Sequence, residues 1–83
     1  MNELIANIDK IHTTELGVVR IKRNLELETD DVVNWCKKKI IKSTNIIRNG
    51  KNWYVDINNA TITVNAHSFT IITAHKEKVK RPL

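Results

Sequence analysis

The chain predicts an α+β domain, with three N-terminal helices packed on one face of a four-stranded antiparallel meander. Three observations point there. Apolar residues recur at helical spacing through the first half. Tight-turn signals punctuate the stretch from Arg48 to Lys76. The strands that those turns define sort their side chains onto two chemically different faces.

The helices come first. Leu4, Ile5, Ile8 and Ile11 lie at helical spacing and predict a short amphipathic helix over about residues 2–11. His12-Thr13-Thr14 breaks that pattern. Thr13 or Thr14 can cap a second helix over about 14–25, with Glu15 in the first turn where an acid complements the helix dipole. Val18, Ile21 and Leu25 form its apolar stripe, and Arg20 and Arg23 lie on another face. Gly17 costs about 1 kcal/mol of helix propensity relative to alanine, so it either permits close packing or marks a break. Thr29-Asp30-Asp31 signals a third helix over about 30–42. Its acids sit at the start and Lys37, Lys38, Lys39 and Lys42 toward the end, complementing the dipole twice. Val32, Val33, Trp35, Cys36 and Ile40 give it an apolar face.

The strands follow. Asn49-Gly50 is a strong hairpin signal, because a type I′ turn needs positive φ at both positions. It joins a strand at 44–48 to one at 51–57. Asn58-Asn59 then leads to a strand at 60–66, and His67-Ser68 to one at 69–75. These turns set Ile46 opposite Trp53, Val55 opposite Ile62, Trp53 opposite Val64, and Val64 opposite Ile71. One side then collects Ile46, Trp53, Val55, Ile57, Ile62, Val64, Ala66, Phe69 and Ile71. The other collects Asn52, Tyr54, Asp56, Thr61, Thr63, Asn65 and Thr70, with Ile47 and Ile72 as exceptions. A partition of this kind supports the register and leaves one face of the sheet uncovered by helices.

Size and charge narrow the function classes. The 83 residues make one domain (1–83) with a modest core, which disfavours a multi-step enzyme with a deep pocket. The net charge is +5. Residues 1–42 carry eight basic and seven acidic groups, giving +1, and residues 43–83 carry six and two, giving +4. The strand-rich half therefore supplies most of a positive field that suits RNA, DNA or an acidic protein surface. Solubility is the alternative reading of the same charge. One cysteine, Cys36, excludes an internal disulfide and fits a reducing cytoplasm. No apolar run approaches the ~18 residues that span a bilayer, so no membrane partner is expected. The N-terminal MNELIANIDK is too mixed and acidic for a signal peptide.

Three groups of residues could carry chemistry. Arg48 and Lys51 would face each other across the Asn-Gly turn, a repulsion that a phosphate would relieve; splaying into water is the alternative. Asn52, Tyr54, Thr63, Asn65 and Thr70 offer amides and hydroxyls beside one aromatic ring on the uncovered face. That set suits stacking and edge recognition of a nucleotide, or simply a solvated sheet. His67 and His75 are candidates for proton transfer near neutral pH. The register puts them at opposite ends of the sheet, with Thr73 one step back from His75 on the same side. His12, at a helix junction, reads as a cap or packing residue, Cys36 as a small buried hydrophobe, and the lysine run as a solvated face or a phosphate contact. No phosphate-binding glycine loop, zinc spacing, HExxH or carboxylate cluster for magnesium is present, so no metal or cofactor is expected. Any RNA cleavage would then be metal-free, with the 2′-hydroxyl as nucleophile and Lys51, Arg48, His67 or His75 serving the phosphate.

HTTELGVVRIKRNL, DDVVNWCKKKI, GKNWYV and TVNAHSFTIITAHK together resemble a family of small uncharacterised bacterial proteins, a domain of unknown function, over roughly residues 3–76. A weaker structural resemblance is to the metal-free ribonucleases of the barnase, colicin and RelE-like toxin group. It rests on helices followed by a meander that ends in a strand like TIITAHK. That resemblance implies Lys51, Thr73 and His75 as catalytic candidates; the chemistry of the residues themselves adds His67, and names Arg48, Asn52, Tyr54, Thr63, Asn65 and Lys76 as the RNA contacts. The group's usual catalytic glutamate has no counterpart; Asp56 is the only acid in these strands.

The leading reading is a cytoplasmic bacterial or phage domain that engages RNA through its uncovered sheet, extending to a metal-free ribonuclease. The rival is a small basic inhibitor or adaptor, of the phage anti-defence type, that binds another protein's acidic surface without catalysis. A homodimer through the open face or an edge strand is a third arrangement.

Overall fold

The computed structural model describes residues 3–76. It is an α+β arrangement with an antiparallel sheet in the order β1-β2-β3-β4, as the turns predict. The strands are β1 (Asn45–Asn49), β2 (Asn52–Ile57), β3 (Ala60–Asn65) and β4 (Ile71–Lys76).

The expected first helix is two short pieces. Helix α1 (Glu3–Ala6) gives way at Asn7 to a single 3-10 turn over Ile8–Lys10. Asn7 leaves helical geometry, with φ −114° and ψ 28°, and its side-chain amide bonds back to the Glu3 carbonyl at 2.8 Å. An asparagine that satisfies local backbone in this way competes with helix continuation. Residue 2, the expected start of this helix, lies outside the described residues.

Helix α2 (Glu15–Leu25) is capped by Thr14, whose hydroxyl accepts from the Gly17 N–H at 2.9 Å. It stops at Glu26, which adopts φ 55°. Gly17 is there for space: a Cβ would stand 2.2 Å from the Thr13 hydroxyl oxygen. That hydroxyl is committed elsewhere, donating to the Ile71 carbonyl at 2.9 Å. One glycine thus lets the start of α2 dock on β4. Asn24 completes the docking by donating to the Ala74 carbonyl at 3.2 Å. Helix α3 (Val32–Lys42) begins at Asp31, whose carboxylate accepts from the Asn34 N–H at 3.3 Å. The helices cover one side of the sheet, α2 lying along β4 and α3 reaching toward β2.

Between the layers lies one core. Leu4, Ile21, Val32, Cys36 and Ile40 meet Val55, Ile62, Val64, Ile71 and Ala74, all essentially without solvent contact. Burying each of the larger of these side chains contributes about 1.5–3 kcal/mol relative to exposure. Trp53 points into this core and Tyr54 does not, as the predicted faces require.

The β2–β3 register is the expected one, with Trp53 opposite Val64 and Val55 opposite Ile62. The first hairpin is shifted by one residue at its turn. Asn49 pairs with Asn52, and Gly50-Lys51 forms the tip, with φ 62° at Gly50. Glycine at the first central position is the pattern of a type II′ turn rather than type I′. Ile46 consequently faces Val55, and Arg48 faces Trp53 instead of Lys51. The pairing slides by two, so every side chain keeps its face. What decides between the two registers is visible at Arg48. Its guanidinium lies 5.5 Å from the centre of the Trp53 ring, and its Nε donates to the Gly50 carbonyl at 2.9 Å.

The last hairpin departs further. The expected two-residue turn at His67-Ser68 is a wider loop, and β4 begins at Ile71. Asn65 organises the loop: its side-chain oxygen accepts from the N–H groups of His67 and Ser68, both at 2.9 Å. Phe69 takes φ 59°. Then comes a β-bulge. Val64 pairs with Ile71, but Thr63 pairs with Thr73, leaving Ile72 unpaired and exposed. Of the two exceptions in the predicted partition, Ile72 is the bulge residue itself, and Ile47 stands on the open face opposite Tyr54.

Candidate nucleic-acid interface

A bulge inserts one residue and so reverses the faces of everything beyond it. Unbroken alternation from the buried Ile71 would carry Thr73 and His75 toward the helices. With Ile72 extra, Ala74 points inward opposite Ile62, and Thr73 and His75 point outward opposite Thr63 and Thr61. The open face then has three ordered rows. Ile47, Tyr54, Thr63 and Thr73 form the central row, one residue from each strand. Asn45, Asp56, Thr61 and His75 form the row on one side, and Asn49, Asn52 and Asn65 the row on the other.

The central row provides an aromatic ring between an aliphatic and two hydroxyl side chains. Thr63 is the most enclosed, at 7% exposure, with Tyr54 and Thr73 on its two sides. Beside it, the Asn52 amide nitrogen donates to the Tyr54 hydroxyl at 3.4 Å. The Asn52 side-chain oxygen is buried and has no partner. Turning the amide over would only move the vacancy to its nitrogen. A buried polar atom without a partner costs about 1–3 kcal/mol.

In the outer row, Asp56 is held from two sides. Asn45 donates to one carboxylate oxygen at 2.5 Å and Thr61 to the other at 3.3 Å. His75 is exposed and lies two strands from Asp56, about 10 Å at ordinary strand spacing. The two therefore make no acid–base pair.

The remaining candidates are spread around the sheet. Lys51 sits in the β1–β2 turn and His67 in the β3–β4 loop, both exposed, at the end marked by the 2.7 Å bond from the Ala66 N–H to the Lys51 carbonyl. His75 is toward the opposite end, paired with Thr61 just after the β2–β3 turn. Arg48 and Lys76 share the parity of the covered side: Arg48 stacks on Trp53, and Lys76 lies 3.0 Å from the Glu26 carboxylate. So Thr73, His75, Asn52, Tyr54, Thr63 and Asn65 share one face, and Arg48, Lys76, Lys51 and His67 do not converge on it.

Sequence reasoning missed the place of His12. It forms a parallel bridge with Thr70, its carbonyl accepting from the Ile71 N–H at 2.7 Å. One ring nitrogen lies 2.9 Å from the Lys10 carbonyl, and the other lies 3.1 Å from the Thr70 hydroxyl, which in turn is 2.7 Å from Ser68. The Lys10 carbonyl accepts only from an N–H, so Nε2 of the neutral ring accepts from Thr70. The signal for this was absent locally, because the partners are 58 residues apart. The chain of bonds fixes the loop that precedes the bulge. Cys36 is buried as expected, and desolvation pushes its thiol up to about 12.

No helix among the described residues is long and apolar enough to cross a membrane. No curated protein and no solved structure matches the chain, so the resemblance to barnase-like ribonucleases gains no support. Residues 5–75 match the model of DUF3781, described as a protein of unknown function, and the chain belongs to that family.

Proposed function

We propose that the domain binds single-stranded RNA across the open face of its sheet. The observation that carries this reading is the bulge at Ile72, which turns Thr73 and His75 onto the same face as Tyr54, Thr63 and Asn52. Bulges re-aim side chains at functional sites. The face it completes pairs a ring on which a base can stack with amides and hydroxyls that can read base edges. The net charge of +5 supplies the long-range attraction.

Binding is favoured over cleavage by distance. A ribonuclease gathers its base, acid and cation around one phosphate. Lys51 precedes Asn52 by one residue, and His75 lies in the row of Asp56, four residues further along β2. With Lys51 five residues from that row, the two are separated by about 17 Å along the strands alone.

The test is retardation of a labelled mixed-sequence RNA in EDTA across a salt series, with Tyr54→Ala and His75→Ala alongside. Salt-sensitive retardation that weakens about tenfold in Tyr54→Ala, the loss of roughly one stacked base, supports the reading. Discrete cleavage lost in His75→Ala would extend it to catalysis. RNA that is neither retarded nor cut would overturn it in favour of a protein-binding inhibitor.

A further inference from the structure

A cleft of about 620 Å³ opens where the end of α3, the β2–β3 turn and the end of β4 meet, its rim reaching Asn45 and Asp56 of the open face's outer row. Its composition is specific. Trp35 supplies a half-buried ring, and Leu25 and Ala60 of the core supply apolar floor. Lys39, Lys42 and Lys76 stand around them, and Lys39 Nζ lies 5.3 Å from the centre of the Trp35 ring.

The charge of this cleft is positive. Its one acidic lining residue is Asp56, whose carboxylate is already held by Asn45 and Thr61. Lys76 is paired with Glu26, but Lys39 and Lys42 have no carboxylate partner among the described residues. Lysines at the end of α3 complement its dipole. That accounts for Lys39 and Lys42 on the helix; Lys76, also on the cleft's rim, is already paired with Glu26. An indole face, an apolar floor and two ammonium groups without a carboxylate partner among the described residues match a ligand with a flat ring and an anionic group. The volume falls within the ~300–1,000 Å³ usual for small-molecule sites.

We propose that this cleft binds a nucleoside phosphate, either a free nucleotide or the phosphorylated end of an RNA. The ring stacks on Trp35, displacing the Lys39 ammonium from above it, and the phosphate is taken by Lys39 and Lys42. The site includes neither Tyr54 nor His75, so Tyr54→Ala separates it from RNA binding on the open face, whose outer row it meets at Asn45 and Asp56.

Tryptophan fluorescence tests it, because Trp53 is buried at 8% exposure and Trp35 is the ring a ligand can reach. AMP, adenosine, and a trinucleotide with a 5′-phosphate or a 5′-hydroxyl are titrated into the folded protein. Saturable quenching by AMP is expected, weakened at least tenfold for adenosine and in the Lys39→Gln/Lys42→Gln variant, and unchanged in Tyr54→Ala. A phosphorylated trinucleotide binding as AMP does, with its hydroxyl counterpart failing, assigns the site to RNA ends as well as free nucleotides. AMP alone quenching assigns it to free nucleotides. No saturation at millimolar AMP, equal binding of adenosine, or quenching that survives the double substitution would overturn the proposal.

Discussion

The two faces of this sheet are built from the same four strands and follow different rules. The covered face is Val55, Ile62, Val64, Ile71 and Ala74, each at 0–1% exposure. The open face is Tyr54 among threonines and asparagines, with His75 at one edge. Strict alternation delivers this division in β2 and β3. In β4 it would fail, because Ile71 and Ala74 are both needed inside and are three residues apart. The bulge at Ile72 resolves the conflict and, in doing so, presents Thr73 and His75 to solvent. The comparison teaches that the core dictates the bulge, and the bulge then determines which polar groups share a surface.

Adding a residue beyond the bulge should break this division most severely. Deleting Ile72 would leave Ile71, Thr73, Ala74 and His75 in plain alternation with their faces unchanged, whereas one alanine inserted between Thr73 and Ala74 would turn Ala74 outward and His75 into the core without a partner. A loss on the order of 4 kcal/mol, or failure to fold cooperatively, is expected for the insertion in urea denaturation. An insertion variant with wild-type stability would mean that β4 can absorb a second bulge.

Ile62→Ala probes the covered face alone. Ile62 is fully buried, so a loss of about 3 kcal/mol is expected by the same measurement. Ile47→Ala is its counterpart on the open face, where Ile47 is 52% exposed, and should cost under ~1 kcal/mol. Equal effects would mean that the open face is also packed.

A smaller effect belongs to Cys36, under the covered face. Burial raises its folded pKa from 9.0 to about 12. The stabilisation is fully present below pH 9, the unfolded value, and is lost as pH rises toward 12. Stability should therefore fall more steeply over that alkaline window in the wild type than in Cys36→Ala. The same neutral thiol should react with a disulfide reagent only on unfolding.

The sequence showed the two-layer fold because both of its periodic signals are local. Helical spacing marked α2 and α3, and alternation marked β2 and β3, whose Asn58-Asn59 turn was read correctly with Asn59 at φ 57°. The Asn49-Gly50 signal misplaced its hairpin by one residue because the deciding contact, Arg48 on Trp53, crosses between strands. The first helix was overextended because apolar spacing does not register a side chain that bonds to its own backbone, as Asn7 does. Most of the open face was legible from alternation. The addition of Thr73 and His75 to it was not, although Ile72 stood out as an apolar residue on a polar side. The cleft at Trp35 was invisible, since it joins residues from α2, α3 and all four strands.

The central claim is that RNA occupies the face completed by the bulge. Side-chain NMR during titration with a single-stranded RNA bearing a 5′-hydroxyl, which avoids the cleft's phosphate chemistry, tests it most directly. The account predicts shifts of the Tyr54 and His75 rings and the Thr63 and Thr73 methyls, with the Ile62, Val64 and Ala74 methyls unmoved. Shifts confined to the helix side, or none at saturating RNA, would contradict it.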